Sequence, residues 1–374
     1  MTYKQLALFL LAAISAWSQQ VIATGLADPQ KFVLTSGGNF LVTETSTTIN
    51  SGRVSFVSRS GTRRTLLDKL PSGTAAPGDG SGPTGLALKG QTLYLAIGAG
   101  DAERNGTQAG TSQYNPQGAS SPIFSSVLVL RFSADVDSIT GAFTFTPQIQ
   151  QRIADGFEVS LDNGAGSTAQ VSLLAAFPYA VPDPNTIYRF SNLWGIELSE
   201  DGRTLYMVDA SQNTVNVVDT TTGRWRRIAR FAPIPNRSGV GPPVSDSVPT
   251  SIRVYGDQLL VSFLTGFPFV RGAAQVMSVQ PDTGVSAAFI ANLSSATDVL
   301  WRSRTGDRPQ FFVIEHSQNM LAQPRAPGRL LRYDSPQATV MSDALLGPVS
   351  MAFDATSNSL FVLELSGRIV EFRL

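Results

Sequence analysis

Apolar residues along this chain come in short segments set apart by turn residues, and Ser247–Val279 shows the pattern most clearly. Ile252–Val254, Leu259–Phe263 and Ala274–Val279 are rich in β-branched or aromatic side chains. Gly256-Asp257 closes the first gap, while Gly266-Phe267-Pro268-Phe269 and Gly272 fill the second. Short strands, a tight turn and then a longer loop predict an antiparallel meander.

The same unit recurs along the chain. A Pro, Asn or Asp precedes a strand A, a turn follows, and strand B carries an aromatic or Leu pair that often ends in an acid. The A–B units are Phe32–Glu44, Pro83–Gly98, Asn192–Asp209, Pro249–Phe263, Asp298–Glu315 and Pro348–Glu364. Strand C follows each, at Arg53–Val57, Val127–Phe132, Thr214–Val218, Gln275–Val279, Arg329–Tyr333 and Arg368–Phe372. A strand D is expected at Arg64–Leu70, Gln151–Ile153, Trp225–Phe231, Ala287–Leu293 and Ala338–Leu345. The last unit stops after C, and Val21–Leu26 at the other end reads like the missing D. A circular array closed by its N-terminal strand leaves no long sheet edge unpaired. Six meanders repeating every roughly 40 to 60 residues therefore predict an all-β, six-bladed β-propeller of four-stranded antiparallel blades. A β-sandwich or a pair of all-β domains is the alternative, and it does not account for a repeat that begins and ends mid-unit. Two insertions interrupt the regularity: Ala99–Ser125, between B and C of blade two, and Asp155–Ser191, between D of blade two and A of blade three. The second, with Tyr179, Tyr188 and Phe190 among Pro178, Pro182 and Pro184, is expected to be ordered because its rings are costly to expose.

Composition adds an address. Charged residues are 15% of the 374, against about 25% in ordinary soluble domains, so Ser, Thr, Asn, Gln and Gly must cover much of the surface, as is common in exported proteins. Lys+Arg and Asp+Glu balance at 28 each, which leaves no electrostatic footprint for nucleic acid. With no cysteine, disulfides, thiolate metal sites and thiol catalysis are excluded. Lys4 precedes the apolar run Leu6–Ile14, and Ala16 and Ser18 fit a signal-peptidase site with Gln19 as the mature N-terminus. The run is shorter than the roughly 20 apolar residues of a spanning helix, and no later segment could span a bilayer. The expectation is a leader at 1–18 and a single propeller domain at 19–374, exported to the periplasm or outside the cell, monomeric, with no membrane span after cleavage.

Ser247-Val248-Pro249-Thr250-Ser251-Ile252, leading into Leu264-Thr265-Gly266-Phe267-Pro268-Phe269 and then Gly272–Val279, resembles the ScyD/ScyE family. These are exported proteins named for a cyanobacterial cluster that makes the sunscreen pigment scytonemin. Ser191–Gly195 with Tyr206–Ala210, and Pro83–Leu86 with Ile97–Gly100, resemble two further stretches of that family. The resemblance implies a six-bladed propeller related to NHL-repeat and SMP-30-like folds and assigns no reaction. The family's Gly-Asp-Gly turn is eroded here, as at Thr35–Asn39 and Thr356–Asn358.

In a propeller the starts of A and the ends of B emerge together at one mouth of the central channel, here termed the top face, with the D–A and B–C loops and hence both insertions. Glu44, Asp209, Glu315 and Glu364 close B strands, with Thr265 just past the matching point of blade four; Thr84, Asn192, Thr250 and Asp298 stand at the starts of A. One reading is a ring of oxygens for Ca²⁺ or another divalent cation, which takes about six to eight such ligands, held by Glu44, Asp209, Glu315 and Glu364. The other has each acid serve its own blade, accepting from loop backbone or pairing with Arg. His316, the one histidine, is a candidate base or ligand beside Glu315. The catalytic candidates are thus Glu44, Asp209, Glu315 and His316. Thr84, Asn192, Thr250, Phe267 and Phe269 are candidate ligand contacts, the two rings being either a local plug or an apolar wall for an aromatic or sugar ligand. Gly78–Pro83 precedes a strand and lacks the P-loop Lys, which argues against a phosphate cradle. Asn105-Gly106-Thr107 matches a glycosylation acceptor. The function expected is a binding or accessory module for a small molecule or protein partner at the top face. The alternative is a divalent-cation-dependent hydrolase or lactonase of SMP-30 type.

Overall fold

Apolar alternation bounded by Pro and Gly gives six innermost strands, Pro29–Leu34, Pro83–Lys89, Leu193–Leu198, Pro249–Tyr255, Ala296–Arg304 and Pro348–Asp354. The computed structural model describes residues 19–76, 78–105, 112–178, 190–304 and 307–374. Each inner strand packs against the next and the sixth against the first, so the ring closes. Outward from each run antiparallel B, C and D strands, making a six-bladed β-propeller. Blade six is completed as expected: Gln19–Ala23 pairs antiparallel with Arg368–Arg373, setting Val21 opposite Val370. Among the described residues no helix is long and apolar enough to cross a membrane.

All six A–B pairs slip register just after their first residue, for example between Pro29 and Phe32 and between Pro348 and Ser350. The repeated bulge bends each inner strand as it leaves the top face. It also sets Lys31, Gly85, Gly195, Ser251, Asp298 and Ser350 in equivalent places. Five of them, with Arg253, line a narrow space of ≈ 20 Å³ at the channel. Blades two, three and four approach so closely there that a Cβ on Gly85 would lie 2.1 Å from the Trp194 carbonyl oxygen, and one on Gly195 2.8 Å from Ser251 Cα.

The apolar core is divided into six wedges, one between each pair of neighbouring blades. The wedge between blades one and two is enlarged by the C–D connection of blade two, where the chain departs from expectation. Gln151–Ile153 is not a strand but part of a helix, Pro147–Ala154. Thr146 caps it by accepting from the Ile149 N–H, and Pro147 stands in its first turn, where a missing N–H costs nothing. Strand D of blade two is Thr168–Ala176, inside the segment expected to be an insertion. Residues 155–167 therefore belong to the C–D connection rather than the top face, and the D–A loop is only 177–192. The excursion adds Phe143–Thr144 to the edge of blade one in parallel and Val159–Asp162 to the edge of blade two. It also buries Phe143, Phe145 and Ile153 fully. Large apolar side chains contribute about 1.5–3 kcal/mol each on full burial, which accounts for so long a connection being ordered. The first insertion contains a small hairpin, Glu103–Asn105 with Ser112–Tyr114, and the Tyr114 ring meets buried Phe190 edge-on. The leader at 1–18, the Gly106-Thr107 part of the glycosylation acceptor, and Tyr179, Pro182, Pro184 and Tyr188 lie outside the described residues.

Candidate functional site

The acids at the ends of B are fully buried and follow one local plan. Glu44, Glu315 and Glu364 each stand directly across the sheet from an arginine that opens strand C, namely Arg53, Arg329 and Arg368. Each carboxylate accepts from that guanidinium, at 3.0, 2.6 and 2.5 Å. Each also accepts a backbone N–H from the loop that enters its own blade: Ala27 at 2.5 Å, Ser294 at 2.6 Å and Leu346 at 2.9 Å. The glutamate thus ties the B–C turn to the D–A loop, an arch built separately in blades one, five and six. Charge-assisted bonds of this kind are about twice as strong as neutral ones.

Blades three and four carry variants of the arch. Asp209 takes N–H groups from Asn192, Ser211 and Gln212 at 3.0, 3.1 and 3.0 Å, and no arginine opens its strand C. Burial pushes its carboxyl up to about 6, against the pull of the Gln212 and Asn192 N–H groups. In blade four Asn213 reaches over from blade three and its Oδ1 accepts from the Val248 N–H at 2.9 Å, where the other arches use an acid. Thr265 is buried beside it, with a positive φ of 68° and an unpartnered hydroxyl. Among the described residues no three His, Asp or Glu side chains gather closely enough to hold a metal ion together.

The hydroxyls at the starts of A face the neighbouring blade. Thr84 donates to the Leu193 carbonyl at 2.8 Å and Thr250 to the Ala296 carbonyl at 3.1 Å. Thr43 and Thr297 do the same to Thr84 and Pro348 at 2.6 and 2.8 Å. Asn192 accepts from the Ala99 N–H at 3.1 Å. These groups stitch the inner ring together. Phe267 is half exposed and packs so tightly over Gly241 that a Cβ there would lie 2.5 Å from its ring, while Phe269 is half buried edge-on to it at 6.4 Å. The Phe-Pro-Phe lip covers the loop before blade four.

Within the channel lies a charge network that strand patterning did not reveal, apart from Asp298. Arg253 of blade four donates to Asp298 of blade five at 2.7 Å, to the Met351 carbonyl of blade six at 2.9 Å and to Glu197 of blade three at 3.5 Å. Lys31 of blade one donates to the Thr297 and Val349 carbonyls at 3.1 and 2.9 Å. Burial lowers Lys31 to about 8, with Asp298 opposing that shift. Burial pushes Asp298 up, but Arg253 and Lys31 outweigh it and hold the carboxyl below its usual range. The available signal was a charge inside four of the inner strands, Lys31, Glu197, Arg253 and Asp298; which charges meet depends on ring closure. Beside Lys31 and Arg253 the channel narrows to a space of ≈ 20 Å³, while Glu197 and Arg253 also line a cavity of ≈ 440 Å³.

One recess on the top face combines apolar walls with polar groups that no arch uses. It lies between blades five and six, measures ≈ 480 Å³, and is lined by Pro327, Leu345, Leu346 and Leu365 around His316 and Arg325. His316 Nδ1 is 3.4 Å from the Pro348 carbonyl and Nε2 is 3.4 Å from Arg325 Nη1. A carbonyl only accepts and a guanidinium only donates, so the neutral Nδ1–H tautomer satisfies both. Burial, then the charge of Arg325, lowers the imidazole to about 4. Among the described residues its ring nitrogens meet no carboxylate or hydroxyl.

No protein-family model matches the sequence, and no curated protein is similar to it. Solved structures share the fold. A Bacteroides thetaiotaomicron protein of unknown function is similar over 95% of this chain and 75% of its own, at 11% identity and a TM-score of 0.52. A Xanthomonas campestris gluconolactonase is similar over 96% of this chain and 92% of its own, at 11% identity and a TM-score of 0.51. Staphylococcus aureus virginiamycin B lyase is similar over 96% and 99%, at 11% identity and a TM-score of 0.48. At these identities the likeness to the first two shows the propeller fold alone.

Proposed function

We propose that this is an exported propeller of the ScyD/ScyE type, a single domain acting as a binding or accessory module that recognises a small molecule or protein partner on its top face. The observation that carries this reading is the division of labour on that face. The B-end acids are bound into arches and the A-start hydroxyls into the ring, while the His316–Arg325 recess keeps polar groups and apolar walls open to a ligand. Export fits the position of Gln19: cleavage after Ser18 would leave the strand that closes blade six as the mature N-terminus.

The competing reading, a divalent-cation-dependent hydrolase or lactonase of SMP-30 type, has the gluconolactonase fold likeness behind it. It requires Glu44, Asp209 and Glu315 to share a cation, against the separate bonds each makes in its own blade. Melting the mature protein in Ca²⁺ and in chelator separates the two. The binding reading expects an unchanged melting temperature and no lactone hydrolysis, with stabilisation by members of a small-molecule panel. A melting temperature that rises with cation, together with lactone turnover, would favour the hydrolase.

A further inference from the structure

Arg325 differs from the arginines of the arches. It is exposed on the loop after strand B of blade five, and its partner is the Nε2 lone pair of neutral His316. Among the described residues it makes no ion pair with a carboxylate, and no acid lines the recess. The two other arginines of this region, Arg329 and Arg368, are held by Glu315 and Glu364. The recess therefore presents one uncompensated positive charge, on a guanidinium that matches a carboxylate in two-pronged geometry. Behind it the accessible walls are hydrocarbon from Pro327, Leu346 and Leu365, with Leu345 buried beneath them. Its ≈ 480 Å³ falls among ordinary small-ligand sites.

We propose that the recess between blades five and six binds a small carboxylate with an apolar body, the carboxylate on Arg325 and the hydrocarbon against Pro327, Leu346 and Leu365. The neutral ring of His316, fixed from behind by the Pro348 carbonyl, holds the guanidinium at the mouth without neutralising it. A single arginine suits a singly charged carboxylate better than a phosphate dianion, for which a second cation or a row of backbone N–H groups would be expected. The proposal rests on the binding reading of the top face and narrows it to one ligand class.

His316 is the only histidine of the chain, so the one imidazole Hε1 resonance reports this recess alone. The mature protein is titrated with octanoate and phenylacetate, with octanol and octyl phosphate as comparisons, following the His316 resonance. Saturable movement with the carboxylates is expected, with affinity falling about tenfold or more in Arg325→Ala and in Arg325→Gln, the loss of one charge-assisted contact. No movement with either carboxylate, equal movement in the arginine variants, or tighter binding of octyl phosphate than octanoate would overturn the proposal. A panel compound that raises the melting temperature while the His316 resonance stays still would overturn the proposal yet leave the binding reading standing.

Discussion

Arg329 and Arg325 stand four residues apart in blade five, on the same face, in opposite circumstances. Arg329 lies across the sheet from a fully buried glutamate whose other bond fixes the loop entering the blade. Arg325 projects from a loop toward a neutral imidazole. Asp209 completes the comparison as an acid in the arch position of blade three without an arginine. The same chemical groups hold the fold in one place and stand available in another, and what separates them is register. An arginine that opens strand C opposite the acid is captured; one displaced onto the B–C loop is not.

Breaking the arch should have the largest effect. Arg329→Ala leaves Glu315 fully buried with its charge uncompensated, and removing one partner of such a pair costs about 3–5 kcal/mol. Urea denaturation at neutral pH should show this loss, and Arg368→Ala should behave alike through Glu364. A loss below ~1 kcal/mol in both would mean that the backbone N–H groups alone hold these carboxylates.

Two pH dependences of opposite sign sharpen the comparison. Folding lowers the His316 imidazole from its ordinary 6.5 to about 4. Between those values the unfolded chain holds the extra proton, so stability falls as pH drops from 6.5 toward 4, by on the order of 3 kcal/mol. His316→Asn should remove that slope. Folding raises Asp209 from its ordinary 3.8 to about 6, because burial penalises the charge and no arginine offsets it. There the folded chain holds the extra proton, so this residue's contribution falls as pH rises from 3.8 through 6, also by on the order of 3 kcal/mol. Asp209→Asn should remove the opposing slope. Stability measured from pH 4 to 7 in the two variants should diverge, and parallel curves would contradict both environments.

Much of this was legible in the chain. Meander spacing, a last unit without strand D and a D-like strand at the N-terminal end gave six blades and their closure, because alternation and turn residues are local signals. The fourth strand of blade two was misplaced because Gln151–Ile153 is too short for its period to tell strand from helix. Thr146-Pro147, a capping residue followed by a first-turn proline, was the better guide. The acids were found at the right positions, but their partners were hidden by loop length. Glu44 to Arg53, Glu315 to Arg329 and Glu364 to Arg368 are one cross-strand contact at three different separations in sequence. Lys31, Glu197 and Arg253 come together only through closure of the ring, and the His316–Arg325 contact only through the path of a B–C loop.

The smallest expected effect tests the other half of the comparison. Arg325 is exposed, makes no ion pair among the described residues and supports no buried carboxylate, so Arg325→Ala should change stability at neutral pH by less than about 0.5 kcal/mol. It should still be felt locally. Burial is the main reason the His316 imidazole is lowered, and the Arg325 charge is the second. Removing the guanidinium should raise the His316 midpoint part of the way toward 6.5, read directly from the imidazole Hε1 resonance. It should also soften the acid-side loss of stability by the same increment. A large loss of stability at neutral pH would place Arg325 with Arg329 as a structural residue, and an unmoved midpoint would mean that the guanidinium does not rest on the ring.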